Sequence, residues 1–519
     1  MLFNSFEYCV FFLSVVFLYY ALPARFRWIL LLFSSYYFYS FWKPEYLYLL
    51  IIQTLVAYVV GIILSQLSSN TRRLACLLIG LIINFGILFY YKYFNFFSET
   101  TNDLFLTLPF LENEILSSHD LILPIGISFF TFQTTSYMID VYRKKFPVEK
   151  HLGIFSLFVA FFPQLISGPI ERGSTLIPQI KKARHFNHSM MVGGFRLILL
   201  GLFKKLVIAD RLAPYVDFVY ANPQNYEGGV LVLATVFFAF QIYCDFSGYI
   251  DIAIGSAQIL GINLSDNFRR PYHARSVSDF WKRWNITLME WLRDYIYIPL
   301  GGSRKKISQA SFNLLVVFFL SGLWHGANWT FVIWGVINGI YLLAERLLKH
   351  FLLLIAPYKN RLIQVGLKDI DLAHNIFFVR TVSITSNILQ KLYPVFCIFL
   401  TFSMICFSWI FFRANSLDDA FYISTHFYTS FGKFIVPNLE VDYLGVGGQA
   451  RGWSVDKYIF IFACICLLEV FHLVEKYDNI RTMFSDKPIW IRWGVTYILL
   501  FSILFFGEFG NKPFIYFQF

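Results

Sequence analysis

The chain has 519 residues, of which 57% are hydrophobic and only 14% are charged, and its mean hydropathy is +0.58. This composition lies far outside the range of soluble domains and excludes a protein dispersed in water. The net charge of +11 does not call for a nucleic-acid partner, because membrane proteins carry excess lysine and arginine on their cytoplasmic side, facing anionic lipid headgroups. The composition therefore predicts an integral membrane protein whose partner is the lipid bilayer.

Apolar runs long enough to cross a bilayer recur along the whole chain. They are continuous rather than alternating, which favours helices over barrel strands. Two shorter runs, 153–169 and 311–324, are candidates for half-spans or re-entrant segments. Since about 20 helical residues span roughly 30 Å of hydrocarbon, we predict an all-α fold with about 11 to 13 membrane helices. The long runs are 6–22, 28–41, 46–65, 74–97, 121–139, 190–209, 229–261, 328–348, 390–412, 456–473 and 492–509.

Charged loops between the early runs predict the orientation. The loop 98–120 carries five acidic residues and no lysine or arginine. Basic clusters close the alternate spans and should face the cytoplasm, which leaves the acidic loop and the N-terminus on the outer side of the membrane. After about residue 150 the alternation is lost, and the orientation of later segments is open. The basic clusters are Arg25 with Arg27, Arg72 with Arg73, and Arg143, Lys144 and Lys145.

Residues 275–306 contain an amphipathic pattern. On a helical wheel that starts at Phe280, apolar residues including three tryptophans fill about half of the circumference, and charged residues fill the rest. Tryptophan suits the boundary between headgroups and acyl chains, so we predict a continuous interfacial helix. Ser278 is the expected N-cap, and Pro299 with the glycines that follow should end the helix.

Asn285 falls within the apolar half of that wheel. One interpretation is an amide bonded to a neighbouring helix, since buried polar groups normally find partners. The other is an amide placed beside a reaction centre. The residue pattern leaves both open.

The segment SGLWHGANW, from Ser321 to Trp329, directly follows an apolar run and contains His325. This is the only histidine flanked on both sides by sequence suited to the membrane interior. An ionisable group at that depth is costly and is a functional candidate by default. A neutral imidazole can accept a hydroxyl proton, and Gly326 leaves room for a substrate beside it. A structural histidine bonded across helices is the alternative.

Motifs extend in a fixed order over nearly the whole chain. They are GISFFTFQTTSYMIDVYR (from Gly126), FFPQLISGPIER (from Phe161), QIYCDFSGYIDIAIG (from Gln241), NFRRPYHARSVSDFWKRWNITLMEWLRDYIYIPLGG (from Asn267), FFLSGLWHGANWTFVIWG (from Phe318), FSWIFFRANSLDDA (from Phe407) and the terminal FIYFQF. With this set the chain resembles the bacterial branch of the membrane-bound O-acyltransferase (MBOAT) family, in particular the membrane subunits that O-acetylate alginate and their peptidoglycan relatives.

The resemblance implies one MBOAT-type membrane domain over residues 1–519, with its signature core at about 121–350 and its helices in a ring around a central tunnel. It implies transfer of an acyl group, expected to be acetyl, to a hydroxyl. His325 stands at the position of the invariant family histidine and would be the general base, while hydrogen-bond donors steady the thioester oxygen. The resemblance also implies a location in the cytoplasmic (inner) membrane of a bacterium. The expected donor is acetyl-CoA or another acyl thioester from the cytoplasm. The expected recipient is an extracytoplasmic partner protein that modifies a polysaccharide.

One departure from the pattern concerns Asn285, where the bacterial branch usually has histidine and the wider superfamily commonly has asparagine. It favours a catalytic pair of His325 and Asn285 over two histidines, with the amide orienting substrate, since Asn is not a base at neutral pH. We expect the two residues to converge on one tunnel. Further candidates for substrate or tunnel contacts are Trp324, Gly326, Trp284, Asp245, Asp251, Gln133 and Ser321.

Several alternatives stay open from the sequence. Asp245, Asp251, Gln133 and Glu171 could be structural, with the carboxylates paired to arginine or backbone donors. D-alanyl transfer to teichoic acid or acyl transfer to peptidoglycan competes with polysaccharide acetylation, because a fold does not fix a substrate. A proton-coupled transporter or flippase is the alternative of a different class. No cysteine, histidine or carboxylate spacing in the sequence suggests a metal, and acyl transfer does not need one.

Overall fold

The computed structural model describes residues 1–106, 116–119, 122–182, 184–366, 376–429, 455–475, 487–510 and 512–515. All regular structure within these ranges is helical, which confirms the predicted all-α class. The helices are α1 (Phe6–Ala21), α2 (Arg27–Ser40), α3 (Leu47–Gln66), α4 (Asn70–Leu88), α5 (Phe94–Leu106), α6 (Ile127–Tyr142), α7 (Leu152–Ala160), α8 (Phe162–Leu165), α9 (Gly173–Lys181), α10 (His188–Leu202), α11 (Asp210–Ala221), α12 (Gly229–Ile259), α13 (Val277–Trp281), α14 (Ile286–Leu292), α15 (Ile307–His325), α16 (Trp329–Gly366), α17 (Ile376–Arg413), α18 (Leu417–His426), α19 (Val455–Glu475) and α20 (Ile489–Phe506).

Six of the described helical stretches are long and apolar enough to cross a membrane, which supports a multi-pass membrane protein. The predicted number of about 11 to 13 membrane helices stays a prediction. Two of the predicted runs form shorter helices: the run 28–41 forms the 14-residue α2, and the run 121–139 gives the 16-residue α6. The six stretches are Pro44–Gln66, Asn70–Phe105, Gly229–Ile259, Trp329–Phe351, Leu392–Arg413 and Ile489–Phe506.

The helices group into two compact units, which are described separately below. The first contains Met1–Asn267, Trp324–Asn328 and Thr425–Phe519, and the second contains Phe268–Leu323 and Trp329–Ser424. A single MBOAT-type domain over the whole chain stays a prediction. So does the N-terminal orientation, for which part of the acidic loop, including Glu112, Glu114 and Asp120, lies outside the described residues.

In the first unit, glycines bring α10 and α12 into backbone contact. A methyl group on Gly201 would lie 2.5 Å from the carbonyl oxygen of Gly248, and one on Gly248 would lie 2.7 Å from that of Gly201. Gly194 and Gly255 repeat this reciprocal contact one heptad away, with both distances at 2.6 Å. Small residues at helix interfaces allow such close approach in membrane proteins.

A buried charge cluster lies where α10 continues through a π-helical segment, Phe203–Ala209, into α11. The ammonium of Lys205 lies 2.9 Å from the carboxylate of Asp210 and 2.7 Å from that of Asp245 on α12. Lys204 pairs with Asp251 at 2.7 Å. Both predicted acidic candidates on α12 are therefore paired, with lysines rather than arginines, as a buried charge requires.

The segment after α20 docks onto this cluster. The backbone N–H of Ile515 donates to Asp245 at 2.7 Å, and the ammonium of Lys512 donates to the carbonyl oxygen of Asp210 at 2.9 Å. Phe514 stacks on Tyr249 with ring centroids 4.6 Å apart. The C-terminal segment up to Ile515 is thus built into the first unit, while the last four residues of the terminal motif lie outside the described residues.

In the second unit the predicted interfacial helix is wrong in two respects. The helix is interrupted: α13 ends at Trp281, α14 begins at Ile286, and the N-cap of α13 is Ser276 rather than Ser278. The three tryptophans, moreover, belong to a core instead of a membrane interface, since Trp281, Trp284 and Trp291 are at most 5% exposed.

The expected stop of the helix near Pro299 is confirmed. A π-helical turn, Arg293–Tyr297, ends the element, and Gly301 follows at φ +105°. This conformation lies in the left-handed region that glycine adopts at no steric cost.

Candidate active site

His325 ends α15 and is buried, with 3% of its surface exposed. Trp324 is also buried, and its ring meets the imidazole edge-on at 4.9 Å. Phe129 on α6 packs against the same tryptophan at 5.3 Å. Burial of a histidine in a predominantly apolar wall is the environment that the sequence predicted for it.

Lys92 fixes the backbone at this point. Its ammonium donates to the carbonyl oxygens of Trp324 at 2.7 Å and of His325 at 3.1 Å. A cation is favourable there, because the carbonyl groups of a helix C-terminus carry partial negative charge. Lys92 belongs to a π-helical turn, Phe89–Tyr93, within the span that begins with α4, and such turns are frequent at functional sites.

A cavity of about 50 Å³ opens beside His325. It is lined by Lys92, by Ser167 and by the start of α6, and it exceeds the roughly 10–15 Å³ that one water molecule needs. The cavity wall depends on Gly126, which has φ +77° and where an added methyl group would lie 2.8 Å from the carbonyl oxygen of Leu165. Two of the sequence motifs, from Gly126 and from Phe161, therefore meet at the imidazole.

Asn285 lies in the second unit and is 2% exposed. Its backbone is left-handed, with φ 44° and ψ 54°, and its carbonyl oxygen accepts the N–H of Met289 at 3.1 Å as α14 begins. Asparagine visits this region far more readily than most residues with a side chain. The structure thus gives a conformational reason for asparagine at this position, which the helical wheel did not anticipate.

The other predicted residues divide between the two units. Gly326 is buried in the first unit with Trp324 and His325, and Gln133 there donates to the carbonyl oxygen of Phe158 at 2.7 Å. Trp284 and Ser321 are fully buried in the second unit. Convergence of Asn285 with His325 stays a prediction.

Lys92 and Ser167 are site residues that the sequence analysis missed. Lys92 interrupts an apolar run, FYYKYF, and an ionisable residue at membrane depth is itself a signal of function. Ser167 gave no signal, because a serine inside an apolar segment is compatible with packing alone. Its role depends on which segments the fold brings to His325.

Chemically, the first unit presents the imidazole of His325 beside a small cavity. Lys92 fixes the backbone of this residue. A neutral imidazole in such a place can take a proton from a hydroxyl group that enters the cavity. The cavity suits a short acyl group.

Comparison with known proteins gives a consistent result. The model of MBOAT, the membrane-bound O-acyltransferase family, matches residues 87–363. The "Probable alginate O-acetylase AlgI" of Azotobacter vinelandii is 41% identical over 336 residues, which cover 64% of this chain and 66% of that protein. Its counterpart in Pseudomonas putida is 34% identical over 539 residues, covering 100% of both chains. The "Peptidoglycan O-acetyltransferase" of Helicobacter pylori is 33% identical over 419 residues, covering 76% of this chain and 72% of that protein.

Proposed function

The chain belongs to the membrane-bound O-acyltransferase family, and from this membership we propose that it moves an acetyl group from a cytoplasmic thioester to hydroxyls of a cell-surface polysaccharide. The expected donor is acetyl-CoA. The observation that carries the proposal is the burial of His325 beside a small cavity, with its backbone held by Lys92. Membership of an acyltransferase family replaces the alternative of a proton-coupled transporter.

The chemistry at His325 is general base catalysis. The neutral imidazole takes the proton of the acceptor hydroxyl while the hydroxyl oxygen attacks the thioester carbonyl carbon. As the intermediate collapses, the carbon–sulfur bond breaks, and the imidazolium returns the proton to the departing thiolate. A positioned base of this kind typically contributes about 10² to 10⁴ in rate.

The acceptor follows from the relatives. Those named as alginate O-acetylases support a polysaccharide acceptor, and the peptidoglycan O-acetyltransferase supports peptidoglycan as a second candidate. In either case the acetyl group ends on a sugar hydroxyl outside the cytoplasm. An extracytoplasmic partner protein would complete the transfer.

Replacement of His325 tests this function. In cells that carry His325→Ala, ester-linked acetate on the surface polymer should fall by about 10²-fold or more, because the attacking hydroxyl loses its base. The measurement is acetate released by mild alkali, per sugar, at matched amounts of protein in the membrane. D-Alanine is measured in the same extract.

The matched control is His188→Ala, since His188 is exposed at the start of α10. This variant should acetylate normally. Normal acetylation by a correctly inserted His325→Ala protein would remove the catalytic assignment. Release of D-alanine rather than acetate in the wild type would overturn acetyl as the transferred group.

A further inference from the structure

The first turn of α6 forms one wall of the cavity beside His325. Ile127, Ser128 and Phe129 line it. In general the first backbone N–H groups of a helix lack intrahelical acceptors and carry partial positive charge. Here the N–H of Ile127 donates to the carbonyl oxygen of Pro124 at 3.2 Å and that of Phe129 to the carbonyl oxygen of Gly126 at 2.9 Å, so the N–H of Ser128 is the first-turn donor left for a ligand. The wall that faces the histidine is therefore suited to negative charge on an oxygen.

A second, independent feature of the same cavity is Ser167. It lines the cavity, is 1% exposed, and its hydroxyl has no hydrogen-bond partner within the part of the chain that the structure describes. A buried hydroxyl without a partner lowers stability. Such a group fits a site where a ligand atom supplies the missing partner, since a hydroxyl can rotate to donate.

Lys92 adds a further hydrogen-bonding group to this cavity. Its ammonium has three N–H donors in general, and its bonds to the carbonyls of Trp324 and His325 hold it at the cavity wall. Fixed donors and charges act strongly where water is excluded, and they need no reorganisation as charge develops during a reaction. The start of α6, Ser167 and Lys92 thus present donors to one small space beside His325.

We propose that the first turn of α6, the hydroxyl of Ser167 and the ammonium of Lys92 form an oxyanion-binding site for the carbonyl oxygen of the acyl group. This rests on the proposed function. When the acceptor oxygen bonds to the carbonyl carbon and His325 takes the hydroxyl proton, the carbonyl π electrons move onto this oxygen. The site stabilises that charge until the carbon–oxygen double bond re-forms, the carbon–sulfur bond breaks and the thiolate takes the proton from the imidazolium. Ser167 is then a catalytic residue.

Ser167→Ala tests the site by two readouts with different expected signs. The catalytic constant for acetyl transfer should fall on the order of 10²-fold, as for removal of one oxyanion donor, while KM for the thioester changes little. Thermal stability in detergent should stay constant or rise, because the substitution removes an unpartnered buried hydroxyl. A residue of purely structural importance would lower stability together with activity. The assay uses membrane vesicles that contain the full chain, with labelled acetyl-CoA and the surface polymer, alongside acetate content in cells.

The matched control is Ser136→Ala on α6. Ser136 is fully buried, but its hydroxyl donates to the carbonyl oxygen of Gln133 at 2.8 Å, away from the cavity lining. It should keep the wild-type catalytic constant. Should Ser167→Ala fail to insert, Ser167→Cys decides, since a thiol of similar shape is a weaker donor and should give a reduced catalytic constant.

The outcomes separate the two proposals. Wild-type catalytic constants in Ser167→Ala or Ser167→Cys, together with loss of transfer in His325→Ala, would overturn the oxyanion site and leave the function standing. Unchanged transfer in His325→Ala would overturn the proposed function itself. If vesicles fail with acetyl-CoA, that donor is wrong, and acetate content of cells carrying the same variants decides the role of Ser167.

Discussion

At Asn285 the backbone and the amide offer separate explanations for the same residue. The left-handed conformation at φ 44° favours asparagine or glycine. The family pattern favours an amide that contacts substrate. Glycine adopts this backbone without strain and has no amide, so one substitution distinguishes the two explanations.

We expect Asn285→Gly to keep normal membrane levels and thermal stability while acetyl transfer falls at least tenfold, on the order of one lost hydrogen bond to a reacting group. Asn285→Ala should lose activity and also stability, by about 1–2 kcal/mol, because alanine is strained at positive φ. Acetate on the surface polymer and thermal unfolding in detergent are the two measurements. Full activity in the glycine variant would leave only the conformational explanation.

At the residue scale, the sequence correctly predicted that His325 is buried, while its catalytic role stays a prediction. His325 was identifiable because an ionisable group flanked by apolar sequence is costly. The surroundings of Asn285 were not, because a helical wheel assumes an unbroken helix and the chain turns at this residue. Ser167 acquires its significance only from the fold around the cavity.

Between elements, the contact of α10 with α12 in the first unit can be tested by one substitution. Gly201→Ala would place a methyl group 2.5 Å from the carbonyl oxygen of Gly248. Since backbone must shift to admit it, we expect a loss of about 1–3 kcal/mol in stability. Thermal unfolding of the purified protein in detergent measures this loss.

The control for this substitution is Gly494→Ala in α20. An added methyl group there has no described atom within 4 Å, so the variant should be neutral or stabilised by up to about 1 kcal/mol through helix propensity. Equal melting temperatures for Gly201→Ala and Gly494→Ala would contradict the close contact. Comparison of the two variants separates the effect of the helix contact from the effect of helix propensity.

Prediction of elements from hydropathy located most helices but not their lengths. The run 190–209 predicts one span, whereas the chain forms α10, a π-helical segment with Lys204 and Lys205, and then α11. Hydropathy averages over a window and cannot show that two lysines will find carboxylates on another helix. The carboxylates of Asp245 and Asp251 lie on α12, which follows the intervening α11.

At the scale of the whole molecule, the buried cluster links distant parts of the first unit. Asp245 pairs with Lys205 and also accepts the N–H of Ile515. Asp245→Asn keeps the shape but leaves Lys205 with one carboxylate fewer. We expect a stability loss of up to about 3–5 kcal/mol, as for breaking a buried pair, together with faster proteolysis of the segment after α20.

Glu508→Gln provides the comparison. Its carboxylate pairs with Arg211 at 3.3 Å and is 45% exposed, so its loss should cost less than about 1 kcal/mol. Thermal unfolding and limited proteolysis are run on both variants. Equal behaviour of the two would show that the buried cluster does not hold the segment.

The family itself was predictable from the ordered motifs, and the comparisons confirm it. The docking of the C-terminal segment was not predictable, because the contact between Asp245 and Ile515 joins residues 270 positions apart. No local sequence pattern indicates a contact between residues so far apart in the chain. This contact forms only when the chain folds.

That separation also orders events during biosynthesis. At roughly 5–20 residues per second, a ribosome needs on the order of tens of seconds to travel from Asp245 to Ile515. During that interval the carboxylate is already in the nascent bundle without its distal N–H donor. The bundle is therefore completed only after the segment beyond α20 has been synthesised, and a ribosome that stalls before this segment would leave a nascent protein whose charged interior is still open to quality-control proteases.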